Sequence, residues 1–114
     1  MTNTPTLRGM ANVSFWAEDL KAAEQWYTKL LGVEPYFQRP SPENPAYIEY
    51  RIGDFQHELG IIDKKYAPKA ATLTGTGGVT LYWHVDDVVG MLEKLEELGA
   101  TQYEPLTKRG VDWI

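Results

Sequence analysis

The sequence predicts an α+β protein built from a strand–helix unit that occurs twice. Asp19 and Gly32 bracket one helical pattern, and Asp86 and Gly99 bracket a second of equal length. Each pattern follows a short run in which apolar and polar residues alternate, and such alternation is typical of a half-buried strand. Because the strand, the helix start and the helix end recur in the same order, we interpret the chain as a duplicated module.

The residues that bracket the two helices have physical roles at helix ends. Asp at a helix start accepts hydrogen bonds from the free N–H groups of the first turn. Gly after the last turn adopts the left-handed conformation that a Cβ atom opposes. The apolar residues between these ends share one face in each helix: Leu20, Ala23, Tyr27, Leu30 and Leu31 in the first, and Val88, Met91, Leu92, Leu95 and Leu98 in the second. Each helix therefore has one side to bury.

Turn and strand signals predict the other elements. Gly53 and Asp54 separate two apolar-rich runs, which predicts a β-hairpin. Residues 64–78 are polar and rich in glycine, and are predicted to link the two modules. The predicted strands are residues 11–16, 34–38, 47–52, 55–62, 79–85 and 101–106.

Composition restricts the classes of function. With 114 residues, the chain is expected to form a single domain over residues 1–114. Its net charge of −5 opposes the attraction on which nucleic-acid binding depends, so no nucleic-acid partner is expected. No apolar run is long enough to span a membrane, and the first ten residues do not resemble a signal peptide. The absence of cysteine excludes thiolate chemistry and favours a cytoplasmic location.

Several segments resemble the vicinal oxygen chelate superfamily, which includes glyoxalase I, bleomycin-resistance proteins and extradiol dioxygenases. Residues 26–32, with the sequence Trp-Tyr-Thr-Lys-Leu-Leu-Gly, are similar to the helix ending of that family. The hairpin at 47–62 and the segment 82–99 extend the resemblance over most of the chain. The resemblance implies paired βαβββ modules whose curled mixed sheets surround a shared cavity.

The resemblance also divides the chain. It implies a first βαβββ module at residues 8–63, a linker at 64–78, and a second module at 79–114 that is incomplete at its C-terminus. An unfinished sheet exposes a strand edge, which favours association with another chain. We therefore expect a homodimer.

The metal-ligand positions of the family are mostly filled by other residue types. Its metal-binding members carry His, Gln or Glu at inward positions of the first strand of each module, and the matching residues here are Asn12 and Thr80. Glu58 falls at a family carboxylate ligand and is the only candidate ligand. One carboxylate does not hold a transition metal, so no metal or other cofactor is predicted.

Strand alternation describes the wall of the expected cavity. The predicted ligand-binding residues are Asn12, Ser14, Trp16, Glu58, Thr80, Tyr82 and His84. Aromatic faces with a few convergent polar groups are typical of small-molecule sites, and Glu58 is expected to act as an unpaired acceptor or counter-charge. Trp16 and Tyr82 are nearly as compatible with a core position. Glu49 and Arg51 face either the cavity or the solvent.

The sequence is compatible with three classes of function. The preferred interpretation is a metal-independent protein that binds a small molecule. The alternative is a lyase, isomerase or dioxygenase whose divalent metal site is completed by a missing C-terminal segment or a partner subunit. The third is a structural or protein-interaction module. Catalytic residues and the identity of the ligand do not follow from the sequence.

Overall fold

A computed structural model describes residues 5–66, 81–102, 105–109 and 112–113 of the chain. The chain divides into two compact units, Met1–Thr72 and Leu73–Ile114. No helix within the described ranges is long and apolar enough to cross a membrane.

The first unit is a four-stranded mixed sheet with one helix. Its elements are β1 (Val13–Ala17), α1 (Leu20–Leu31), β2 (Phe37–Arg39), β3 (Tyr47–Ile52) and β4 (His57–Asp63). The strand order is β1-β4-β3-β2; β1 and β4 are parallel, and the other pairs are antiparallel. The predicted α+β class is thereby confirmed. The β3–β4 hairpin lies where the sequence predicted it, whereas β1 begins two residues and β2 three residues later than expected.

Helix α1 begins and ends where the sequence predicted. The Asp19 carboxylate accepts a hydrogen bond of 3.0 Å from the Ala22 amide. Gly32 has a φ of 71°, and its N–H donates to the Thr28 carbonyl at 2.9 Å. The left-handed conformation thus satisfies one of the last carbonyl groups of the helix.

The core lies between α1 and one face of the sheet. Its buried residues are Leu20, Ile48, Tyr50, Leu59 and Ile61. The Tyr50 hydroxyl donates to the Glu24 carbonyl at 2.9 Å and lies 2.8 Å from the Thr28 hydroxyl. This phenol therefore joins the sheet to the helix by polar contacts as well as by packing.

The opposite side of this sheet, here called the distal face, carries a different set of residues. Side chains alternate along a strand, and directly paired residues share a face. The pairing places one row of Phe37, Glu49, Gly60 and Ser14 across the four strands, and a second row of Arg39, Tyr47, Ile62 and Trp16. Arg51 and Glu58 are paired beside the first row.

The second unit contains α2 (Val88–Glu97) and a hairpin of β5 (Lys108–Arg109) and β6 (Asp112–Trp113). Asp87 caps α2, since its carboxylate accepts from the Gly90 amide at 2.9 Å. The prediction of Asp86 as the cap was wrong by one residue, because the helix begins at Val88 and the residue directly before it, Asp87, has the extended backbone of a cap. Gly99 has the expected positive φ, at 89°.

Two predicted strands of the second unit differ from the structure. Residues 81–85 form no regular strand, and residues 79 and 80 lie outside the described ranges. Residues 101–102 and 105–107 are likewise irregular, and the hairpin strands begin at Lys108. Of the predicted linker, residues 64–66 form a turn of 3₁₀ helix, and residues 67–78 lie outside the described part.

Candidate functional site

Four polar side chains of the distal face form a hydrogen-bond network. The Tyr47 hydroxyl donates to Glu49 Oε1 at 2.7 Å. The Asn12 Nδ2 group donates to the same oxygen at 3.2 Å and to the Tyr47 hydroxyl at 3.1 Å. The Ser14 hydroxyl donates to Asn12 Oδ1. The network joins β3 to β1 across the intervening β4, and Glu49 is its final acceptor.

The network depends on the absence of a side chain at Gly60. Gly60 lies on β4 between Ser14 and Glu49 in the cross-strand row. A Cβ atom at this position would lie 2.8 Å from the Tyr47 hydroxyl and would also collide with Ser14 Oγ. Glycine therefore lets the side chains of the two flanking strands meet over β4.

Burial and charge act together on Tyr47. The pKa of its phenol is raised, first by burial and then by the hydrogen bond to the Glu49 carboxylate and the negative charge of that group. The phenol accordingly remains a hydrogen-bond donor to Glu49 over the physiological pH range.

Glu58 is paired, contrary to the expectation of an unpaired acceptor. Its carboxylate lies 3.7 Å from the Arg51 guanidinium, which also lies 3.7 Å from the ring centroid of Tyr36. Arg51 thus compensates the charge of Glu58. Glu49 has no ion-pair partner in the part of the chain that the structure describes.

Aromatic side chains lie beside the network. Trp16 and Phe37 are 38% and 37% exposed, and Phe37 is paired directly with Glu49. The Phe37 and Tyr47 rings are 6.4 Å apart with an edge-to-face geometry, and the Arg39 guanidinium lies 5.1 Å from the Phe37 centroid. The face thus combines accessible rings with hydrogen-bonding oxygens.

The structure brings together only part of the predicted site. Asn12, Ser14, Trp16 and Glu58 lie on the distal face of one sheet. Glu49 and Arg51, whose direction the sequence left open, lie on the same face. Tyr82 and His84 belong to the second unit, where both are exposed and outside any regular strand. Thr80 lies outside the described residues.

Sequence reasoning did not include Tyr47 in the site. Tyr47 and Glu49 are two residues apart on one strand, so they share a face. This spacing is a signal that could have placed the tyrosine with the glutamate. Its contact with Asn12, 35 positions away, depends on the strand pairing.

An open depression adjoins the network. It has a volume of about 510 Å³ and is lined by residues 10–13 and 55–58, where β1 begins and the β3–β4 turn ends. Two of the polar residues that line it, Asn12 and Glu58, lie on the distal face. His57 faces the other way and stacks on Phe55, with the ring centroids 6.0 Å apart.

A family model described as the glyoxalase/bleomycin resistance protein/dioxygenase superfamily matches residues 9–112. The chain belongs to this superfamily. Two solved structures share its fold. The solution NMR structure of protein ATC0852 from Agrobacterium tumefaciens is 19% identical with a TM-score of 0.68, and the match covers 91% of this chain and 82% of that one. The crystal structure of TioX from Micromonospora sp. ML1 is 17% identical with a TM-score of 0.60, and the match covers 90% of this chain and 81% of that one. No curated protein matches the sequence.

The alternative function, a lyase, isomerase or dioxygenase, requires a divalent metal, and the described residues do not fit one. Within the described ranges, no group of three or more His, Asp or Glu residues could hold an ion. Asn12 uses its amide hydrogens on Glu49 and Tyr47 and its carbonyl on Ser14. Glu58 is paired with Arg51. Both candidate positions are therefore engaged in contacts within the protein.

Proposed function

We propose that this member of the superfamily binds a small organic molecule on the distal face, without a metal. The observation that carries the proposal is the network of Ser14, Asn12, Tyr47 and Glu49 beside the accessible rings of Trp16 and Phe37. A few ordered polar groups next to aromatic surface are the usual composition of a small-molecule site.

The order of the network supports a binding role. Its side chains are already held by one another, so a ligand would not have to immobilise them, and this lowers the entropic cost of association. Trp16 and Phe37 offer apolar surface whose burial by a ligand ring is favourable. A purely structural role accounts for the hydrogen bonds but does not explain why Trp16 and Phe37 remain more than a third exposed.

The metal content separates this proposal from a metal-dependent lyase, isomerase or dioxygenase. We expect protein purified without chelator to contain far less than one equivalent of zinc, nickel, manganese or iron, because Asn12 and Glu58 are engaged elsewhere. Elemental mass spectrometry measures the number of metal ions per protein chain directly. Near-stoichiometric metal that disappears in Glu58→Ala would establish the metal-dependent alternative.

The role of Trp16 is tested with a thermal-shift screen of small aromatic compounds, followed by a calorimetric titration of the best binder. Trp16→Ala is expected to weaken that binder about threefold to tenfold, because a stacked ring is lost. Trp26→Ala is the matched control, since Trp26 lies on α1 at the other side of the sheet. An equal loss in both variants, or a loss only in Trp26→Ala, would remove the distal face from the binding site.

A further inference from the structure

Glu49 determines the direction of every hydrogen bond in the distal-face network. A carboxylate only accepts, so the Tyr47 hydroxyl and the Asn12 amide must both donate to it. Asn12 is thereby oriented with Nδ2 toward Glu49, and Oδ1 faces Ser14. The Ser14 hydroxyl must then donate to Oδ1.

With these hydrogen-bond directions, the network offers a ligand only hydrogen-bond acceptors. The hydroxyl hydrogens of Ser14 and Tyr47 are used, and the two Asn12 amide hydrogens go to Tyr47 and Glu49. Lone pairs remain on Ser14 Oγ and on Glu49 Oε2, which accepts no hydrogen bond from the described part of the chain. A ligand group that meets this network must therefore donate.

The charge of the site favours a positive donor. Glu49 is half-buried and lacks an ion-pair partner among the described residues, whereas Glu58 is compensated by Arg51. Its negative charge acts at the centre of the network, where it contributes to the raised pKa of Tyr47. The net charge of −5 attracts cations at longer range as well.

The adjoining row offers a place for the rest of the ligand. Trp16, Ile62 and Tyr47 lie side by side across three strands, one row away from Ser14, Gly60 and Glu49. Neighbouring rows on one face of a sheet are about 7 Å apart. An aromatic ring against the row that contains Trp16 would place a short amine-bearing arm over the row that contains Glu49.

We propose that the ligand carries a protonated primary or secondary amine next to an aromatic or apolar body, with the amine N–H groups donating to Glu49 and Ser14. The inference rests on the proposed function and specifies the chemical class of its ligand. The proposal requires an N–H group and not only a positive charge. A quaternary ammonium is therefore expected to bind less well, since it has the charge and the attraction to aromatic rings but no hydrogen to donate.

The test uses three probes that share a benzyl or phenyl body: benzylammonium, benzyltrimethylammonium and benzoate. Titration of the full chain, followed by NMR chemical shifts to millimolar concentrations, is expected to show benzylammonium binding at least about tenfold more tightly than the other two. Equal affinity of the two cations, or stronger binding of benzoate, would overturn the proposal. So would displacement of benzylammonium by equimolar Ca²⁺, which would assign the oxygens to a metal cation.

Matched variants locate the interaction. Glu49→Gln removes the uncompensated charge and is expected to abolish the preference for benzylammonium over benzyltrimethylammonium. Glu18→Gln removes a carboxylate outside the strands of the sheet that Lys64 already compensates at 3.0 Å, and it is expected to leave the preference within about twofold of the wild type. Urea unfolding of both variants shows whether the fold persists. An unchanged preference in Glu49→Gln would contradict the assignment.

The two proposals fail in different ways. If aromatic compounds without amines bind and benzylammonium does not, the small-molecule function stands and the amine inference falls. If no probe and no compound of the screen binds, both fall.

Discussion

Leu59→Ala is expected to lower the free energy of unfolding by about 2–5 kcal/mol. Leu59 is 3% exposed, and its neighbours in the sheet are Tyr50 on β3 and Val13 on β1. Truncation removes buried methyl groups and leaves a space that a paired central strand cannot close by moving. Urea unfolding followed by circular dichroism measures the change.

The chain provides a matched control for this substitution. Leu7 is 98% exposed, and Leu7→Ala removes the same atoms without opening a cavity. Its effect is expected to remain within about 0.5 kcal/mol. Similar unfolding free energies for the two variants would contradict the assignment of the core to the α1 side of the sheet.

Gly60→Ala is expected to destabilise the protein by about 1–3 kcal/mol, although alanine usually replaces a strand glycine with a gain. The added Cβ atom would lie 2.8 Å from the Tyr47 hydroxyl and 2.9 Å from Tyr47 Cε1. The Ser14 hydroxyl can rotate away, but the tyrosine ring must shift as a unit. If the proposed function holds, ligand binding is also expected to weaken, because the network loses its geometry.

A double-mutant cycle isolates the cause. In a Tyr47→Ala background the ring contacts are absent, and Gly60→Ala is expected to become neutral or stabilising. Urea midpoints of the four proteins give the coupling energy between the two positions. If Gly60→Ala costs the same in both backgrounds, the close approach of Tyr47 to Gly60 is not the source of the destabilisation.

The helix ends show how far local sequence carried the prediction. Asp19 and Gly32 act within one turn of α1, so their roles follow from residue type and spacing. The same argument placed the second cap at Asp86 instead of Asp87. Two adjacent aspartates satisfy the sequence pattern equally, and only the backbone geometry distinguishes them.

The candidate site was predictable only in part. Alternation placed Asn12, Ser14 and Trp16 on one side of the first strand, and the family resemblance added Glu58 to the site. It did not show that Arg51 neutralises Glu58, because that pairing depends on the turn between β3 and β4. The strand expected at 79–85 illustrates the opposite limit. Residues 81–85 have a strand-like pattern, but they form no strand and do not pair with β5 or β6.

Sequence alone was sufficient to predict the α+β class, the hairpin, the first helix with both its ends, and the positions of Asn12, Ser14 and Trp16 on one face of the first strand. These features depend on residues within a few positions of each other or on the family pattern. Only the strand pairing shows that Glu49, unlike Glu58, has no ion-pair partner among the described residues, and that Asn12 donates to it. Those facts depend on the register of β1, β3 and β4, which brings Ser14, Gly60 and Glu49 into one row although they are far apart in sequence.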